Sequence, residues 1–67
     1  MRHNLYLFRC DQRMTQAQIA EKLGVSRQLY ASIEKGRQRV SAEFWSTLQR
    51  VFEIPDADMY GLMRLDD

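Results

Sequence analysis

Arg27, Gln28 and Ser32 form a polar set on one short segment, with Leu29 among them. Arginine can pair in bidentate fashion with guanine, glutamine can do the same with adenine, and leucine can pack against a thymine methyl group. Helical spacing puts Gln28 and Ser32 one turn apart on the same face. These side-chain types therefore suit the reading of base edges in a DNA major groove. Arg27 is equally suited to a phosphate, and Leu29 is equally consistent with a partly exposed apolar residue of no specific role.

Such side chains read a groove only when presented on a rigid helix, and the surrounding sequence supplies one. Thr15 to Gly36, TQAQIAEKLGVSRQLYASIEKG, has the pattern of two short amphipathic helices joined by a tight turn at Gly24. Ala20 is small enough for close approach of the two backbones, and Gly24 adopts the left-handed turn conformation at little cost. Ile19, Leu23, Val25 and Ile33 form the apolar inner face, which leaves Ser26, Arg27, Gln28, Leu29 and Ser32 outward.

The same stretch closely resembles the lambda-repressor-like (Cro/CI/Xre) helix-turn-helix family. The matching elements are Thr15-Gln16, Ile19-Ala20, Leu23-Gly24-Val25-Ser26, Arg27-Gln28 and Ile33-Glu34-Lys35-Gly36, in order and without gaps. The resemblance extends over about residues 4 to 63. It implies that Gln16, with the free amides of its helix start, holds a backbone phosphate, and that Ser26 at the start of the recognition helix, Arg37 and Arg39 hold further phosphates. The family also pairs an arginine ending its first helix with a glutamate ending the recognition helix. Arg9 and Glu34 stand at those positions, and the resemblance implies a structural support that leaves the Arg9 head group near a phosphate; a surface ion pair of little energetic weight is the plainer alternative.

The rest of the chain is helical in pattern, without strand-type alternation, repeats or linkers, and reads as an all-α, five-helix single domain over 1–67. The first helix is expected from about Asn4 to Gln12, with Leu5 and Phe8 inward and Met14 closing the connection below. Thr15 and Gln18 have capping-box spacing at the start of the second, Ser26 caps the third, and Ser41 caps the fourth. Phe44, Leu48 and Phe52 are expected to complete the core. Ile54-Pro55 interrupts the fourth helix, and a short fifth covers about Asp56 to Met63, with Asp56 and Asp58 at its positive end. Tyr30 replaces the Ile or Val usual in the family; its hydroxyl needs a partner, which suggests the core's edge.

Charge is divided along the chain. Residues 1–40 hold eight Lys/Arg against three Asp/Glu, whereas 41–67 hold two against six, so a net charge of +1 conceals a basic half and an acidic half. The basic half carries the helix-turn-helix pattern, as a one-faced phosphate binder requires.

A chain of 67 residues supports a core worth roughly 3–5 kcal/mol, so dimerisation would help. Trp45, where the family has a small residue, and the cluster Met59, Tyr60, Leu62, Met63 and Leu65 exceed what a small core needs. They are the expected surface of a homodimer, with core lining by Met59 and Leu62 as the alternative. Cys10 is the only cysteine and His3 the only histidine, which excludes an internal disulfide and offers no metal-ligand set. No cofactor or small-molecule ligand is expected. No apolar run approaches the ~18 residues of a membrane span, and no signal-peptide pattern opens the chain; a cytoplasmic, nucleoid-associated protein without membrane contact is expected. Paired acid and base groups, or a nucleophile with its base, are missing, so an enzyme is disfavoured. The expected function is a dimeric, sequence-specific transcriptional regulator of double-stranded DNA, and the family resemblance implies repression at a palindromic operator. The rival is an antitoxin-like or adaptor module that grips a protein partner.

Overall fold

A computed structural model describes residues 1–66 and contains five helices: α1 (His3–Asp11), α2 (Gln16–Leu23), α3 (Arg27–Lys35), α4 (Ala42–Phe52) and α5 (Asp56–Met63). Each boundary has a local cause. The Thr15 hydroxyl accepts from the Gln18 backbone N–H (3.1 Å) while the Thr15 N–H donates to the Gln18 side chain (2.8 Å), which closes the expected capping box. Gly24 turns left-handed at φ 73°, and two residues later Ser26 caps α3 by accepting from the Leu29 N–H. Ser41 does the same for α4 through the Phe44 N–H. That helix stops at Phe52, because Glu53 enters the left-handed region at φ 53° before Pro55 is reached.

Helix α1 packs on α5 and α3, α2 on α3 and α4, and α4 on α5. The centre is filled by Leu5, Ile19, Tyr30, Ile33 and Leu48, all fully buried. Val25 and Phe8 pack against it as half-buried residues, and Phe52 meets Phe8 edge-on at 5.2 Å instead of completing the centre.

Two expectations are corrected. Tyr30 lies in the middle of the core, not at its edge, with 0% of its surface exposed. Trp45, Met59 and Leu62 also belong to the core of the single chain, at 7–8% exposure, so their apolar surface is consumed within it. Tyr60 at 75%, Leu65 at 51% and Met63 at 40% stay outside.

Trp45 is buried partly by a residue that the sequence pattern did not single out. Arg2 lies 5.4 Å from the Trp45 ring centroid, donates from Nη1 to the Ile33 carbonyl (2.7 Å) and from Nε to the Met63 carbonyl (3.0 Å). Its own backbone N–H donates to the Glu34 carbonyl (2.7 Å). A cation thus satisfies carbonyls at the C-terminal ends of α3 and α5, where the helix dipoles favour positive charge. Burial lowers the proton affinity of this guanidinium, though arginine stays charged.

The buried Tyr30 hydroxyl lies beside Glu34 and Arg9 but makes no hydrogen bond of good geometry. Burial pushes its acidity constant far up, followed by the neighbouring Glu34 carboxylate, so the phenol stays neutral. A desolvated, unpaired hydroxyl costs roughly 1–3 kcal/mol. Tyr30→Phe is therefore expected to raise stability by about 1 kcal/mol in urea denaturation; a loss of similar size would show that the hydroxyl has a partner in solution.

Candidate nucleic-acid interface

Besides the apolar core and Arg2, a polar cluster centred on Glu34 holds the helix-turn-helix pair to the rest of the molecule. Arg9, at the end of α1, donates from Nε to Glu34 Oε2 (2.9 Å), from Nη2 to Glu34 Oε1 (3.1 Å) and from Nη1 to the Met14 carbonyl (3.0 Å). Gln16, the first residue of α2, donates from Nε2 to the same Glu34 Oε1 (3.2 Å). Side-chain exposure is 13% for Arg9 and 4% for Glu34, so this is a buried, bidentate pair and not a surface contact. The pair joins α1 to the last turn of α3, and Gln16 adds the start of α2.

Burial by itself would push the Glu34 carboxyl up, but the Arg9 hydrogen bonds, the adjacent Tyr30 hydroxyl, the Gln16 hydrogen bond and the Arg9 charge outweigh it and hold the group below the usual carboxylate range. The hydrogen bond to Glu34 raises Arg9 in turn, against the opposing effect of its own burial. Arg9 also stands 5.4 Å from the Tyr6 ring.

Beside this cluster lies an open recess bordered by Arg9, Thr15, Gln16, Ala17 and Arg27. It brings two arginines and an amide side chain to the N-terminus of α2, where backbone N–H groups lack partners and anions are favoured. Gln16 borders the recess and braces Glu34 at the same time. Thr15 and Ala17 were not singled out as site residues; Thr15 carried a capping signal, and Ala17 carried only its place in the first turn of α2.

The outer face of α3 is polar where it begins. Arg27 and Gln28 are exposed, and Ser32 is half-exposed one turn beyond Gln28. Ser26 is exposed with its hydroxyl engaged in the cap. Leu29 differs from its neighbours: it is half-buried against the core and lines a recess behind α3 with Leu23, Val25, Val40 and Phe44. That packing gives it a structural occupation whatever else it contacts. Arg37 and Arg39 are exposed in the loop after Gly36, the left-handed glycine at φ 78° that ends α3. The Arg37 N–H donates to the Ser32 carbonyl (3.0 Å), which ties this loop to α3. Arg37 and Arg39 do not border the recess at Arg9 and Gln16; they follow the C-terminal end of α3, whereas Arg27, which borders the recess, opens that helix.

Comparison with known proteins bears on this arrangement. A family model described as "Helix-turn-helix" matches residues 5–58. An uncharacterized HTH-type transcriptional regulator of Methanocaldococcus jannaschii is 33% identical over 60 residues, covering 90% of this chain and 91% of the relative. No solved structure matches.

The depressed Glu34 carboxyl predicts an acid-labile contribution to stability. The folded state binds this proton less readily than the unfolded chain, so the contribution is complete above the ordinary value of about 4.5 and is lost as pH falls through the lower folded value. Glu34→Gln should cost about 1–3 kcal/mol at pH 7, and the gap between variant and parent in urea midpoint should narrow at pH 3. A gap independent of pH would remove the ionised carboxylate from the account.

Proposed function

Because this chain belongs to the helix-turn-helix family, we propose that it is a sequence-specific DNA-binding transcriptional regulator, acting as a repressor that occupies a palindromic operator as a homodimer. The observation that carries this reading is the exposed polar start of α3, presented beside a recess that unites Arg9, Gln16 and Arg27. The M. jannaschii relative, an HTH-type transcriptional regulator by name, is consistent with it.

In this reading Gln28 and Ser32 face base edges, while the recess and the exposed Arg37 and Arg39 take phosphates. Arg27 borders the recess with Gln16, which favours a phosphate for it over a guanine. Ser26 brings the α3 cap to the backbone. Leu29 reaches a thymine methyl only with the part of its side chain not packed inward. The functional setting is cytoplasmic, on the nucleoid, without catalytic chemistry.

The dimer rests on what the core leaves outside. Tyr60, Met63 and Leu65 are exposed apolar groups on or just beyond α5. A protomer 27 Å across is compatible with two recognition helices about 34 Å apart, one turn of DNA.

Selection of random duplex DNA on the purified protein, followed by sequencing, tests the reading: a palindrome with half-sites about one turn apart supports it, and enrichment without a shared site contradicts it. On the selected site, Gln28→Ala is expected to cost about 1–3 kcal/mol and to leave random DNA unaffected, whereas Arg37→Ala or Arg39→Ala should weaken all sequences alike and reduce the log-log salt slope by about 0.9. Equal losses for Gln28→Ala on both DNAs would make it a phosphate contact, and an unchanged salt slope would take the arginine out of the interface.

A further inference from the structure

A groove with the opposite character lies between α1, the α4–α5 turn and α5, and no α2 or α3 residue lines it. Leu7, Phe8 and Phe52 contribute apolar walls, and Asp11, Glu53 and Asp58 stand around them. The volume is about 400 Å³, and no Lys or Arg lines it; Lys22 of α2 is a cation placed against a wall residue, 5.9 Å from the Phe52 ring centroid. Leu7 is 44% exposed, so a large apolar side chain remains in water in the free protein.

The turn that forms one wall is braced. The Gln49 amide donates to the Ile54 carbonyl and to the Asp56 carboxylate, and the Ile54 N–H donates back to the Gln49 carbonyl. The groove is thus largely formed before any partner arrives. Its acidic border also repels phosphate, which separates it from the basic face of α2 and α3.

Glu53 adds a second observation. Helices α2 and α3 both end in a left-handed glycine, at φ 73° and 78°, whereas α4 ends in Glu53 at φ 53°. Glycine adopts this conformation at lower cost than any residue with a Cβ. The chain places a carboxylate there, at the groove, where the helix end itself would favour glycine.

We propose that this groove docks a cationic amphipathic helix of a partner protein. Apolar side chains of that helix enter between Leu7 and Phe52, and its Lys or Arg side chains meet Asp11, Glu53 and Asp58. Charge complementarity is the argument: an apolar cleft ringed by three carboxylates selects a partner that is apolar on one stripe and cationic beside it. A second copy of this chain matches less well, because Arg64, the cation beside its exposed Met63 and Leu65, is already paired with Asp66 at 3.2 Å. The proposal stands apart from the DNA-binding reading, and either can fail alone.

The test uses the whole isotope-labelled chain and a synthetic helical peptide with leucines at i, i+4 and i+7 flanked by lysines, against the same peptide with glutamate for each lysine. The lysine peptide is expected to shift the amides of Leu7, Phe8, Phe52 and Glu53 and to bind at least about tenfold more tightly than the glutamate peptide. Glu53→Gly relaxes the backbone and should fold at least as stably by urea denaturation, yet bind the lysine peptide about threefold more weakly at low salt. Leu7→Lys, exposed enough to be tolerated, should weaken it about tenfold. Equal binding of both peptides, shifts confined to α2 and α3, or full affinity in Leu7→Lys would overturn the proposal. Sedimentation showing a dimer that Leu7→Lys dissociates would overturn it too, by giving the groove to a second copy.

Discussion

The buried Arg9–Glu34 pair is the contact on which the placement of α3 depends. Glu34 has been taken out of water and Arg9 largely so, and directed hydrogen bonding compensates for that. Glu34 accepts two bonds from Arg9 and one from Gln16, while Arg9 spends its remaining inward donor on the Met14 carbonyl. An apolar contact in the same place could be as stable, but it would tolerate sliding. A planar guanidinium bound to a carboxylate at two points does not, and it orients α3 against α1 and the start of α2 at once. For a binding face built from a few side chains at the start of α3, that orientation matters more than the net energy of the pair.

From this constraint the two faces of the molecule follow. The same cluster that orients α3 also holds Arg9 and Gln16 at the recess shared with Arg27. At the same C-terminal end of α3, Arg2 ties the Ile33 and Glu34 carbonyls, so the last turn of the helix is anchored by a second cation that faces inward. The exposed cations Arg27, Arg37 and Arg39 are left to the surface, and acidic residues gather around the α4–α5 turn. Charge division along the sequence becomes charge division in space because the basic α2–α3 unit and the acidic α4–α5 turn present different elements to solvent.

Much of this was legible in the residues because the signals were local. Caps at Thr15, Ser26 and Ser41 and the glycines at 24 and 36 specify helix ends through hydrogen bonds and φ values that depend on a few neighbours. The Arg9–Glu34 pair was legible only through family resemblance, since 25 residues separate its members. What escaped was set by tertiary packing. Tyr30 carries a hydroxyl that argues for the core's edge, yet its ring fills the centre and leaves the hydroxyl unpaired. Trp45 looked surplus because nothing in the sequence links it to Arg2, whose guanidinium covers it from the chain's second position. Leu29 was read as outward, but it is half-buried against the core and lines a recess with Val40 and Phe44.

The central claim is that the pair-held α2–α3 unit presents its polar face to duplex DNA. The most direct measurement is a titration of the isotope-labelled protein with a duplex, followed by amide NMR. The account predicts shifts concentrated at Gln16, Ala17, Arg27, Gln28, Ser32, Arg37 and Arg39, with α5 unaffected apart from residues at a dimer contact. Shifts concentrated instead on the acidic face at Asp11, Glu53 and Asp58, or none at any duplex concentration, would contradict it.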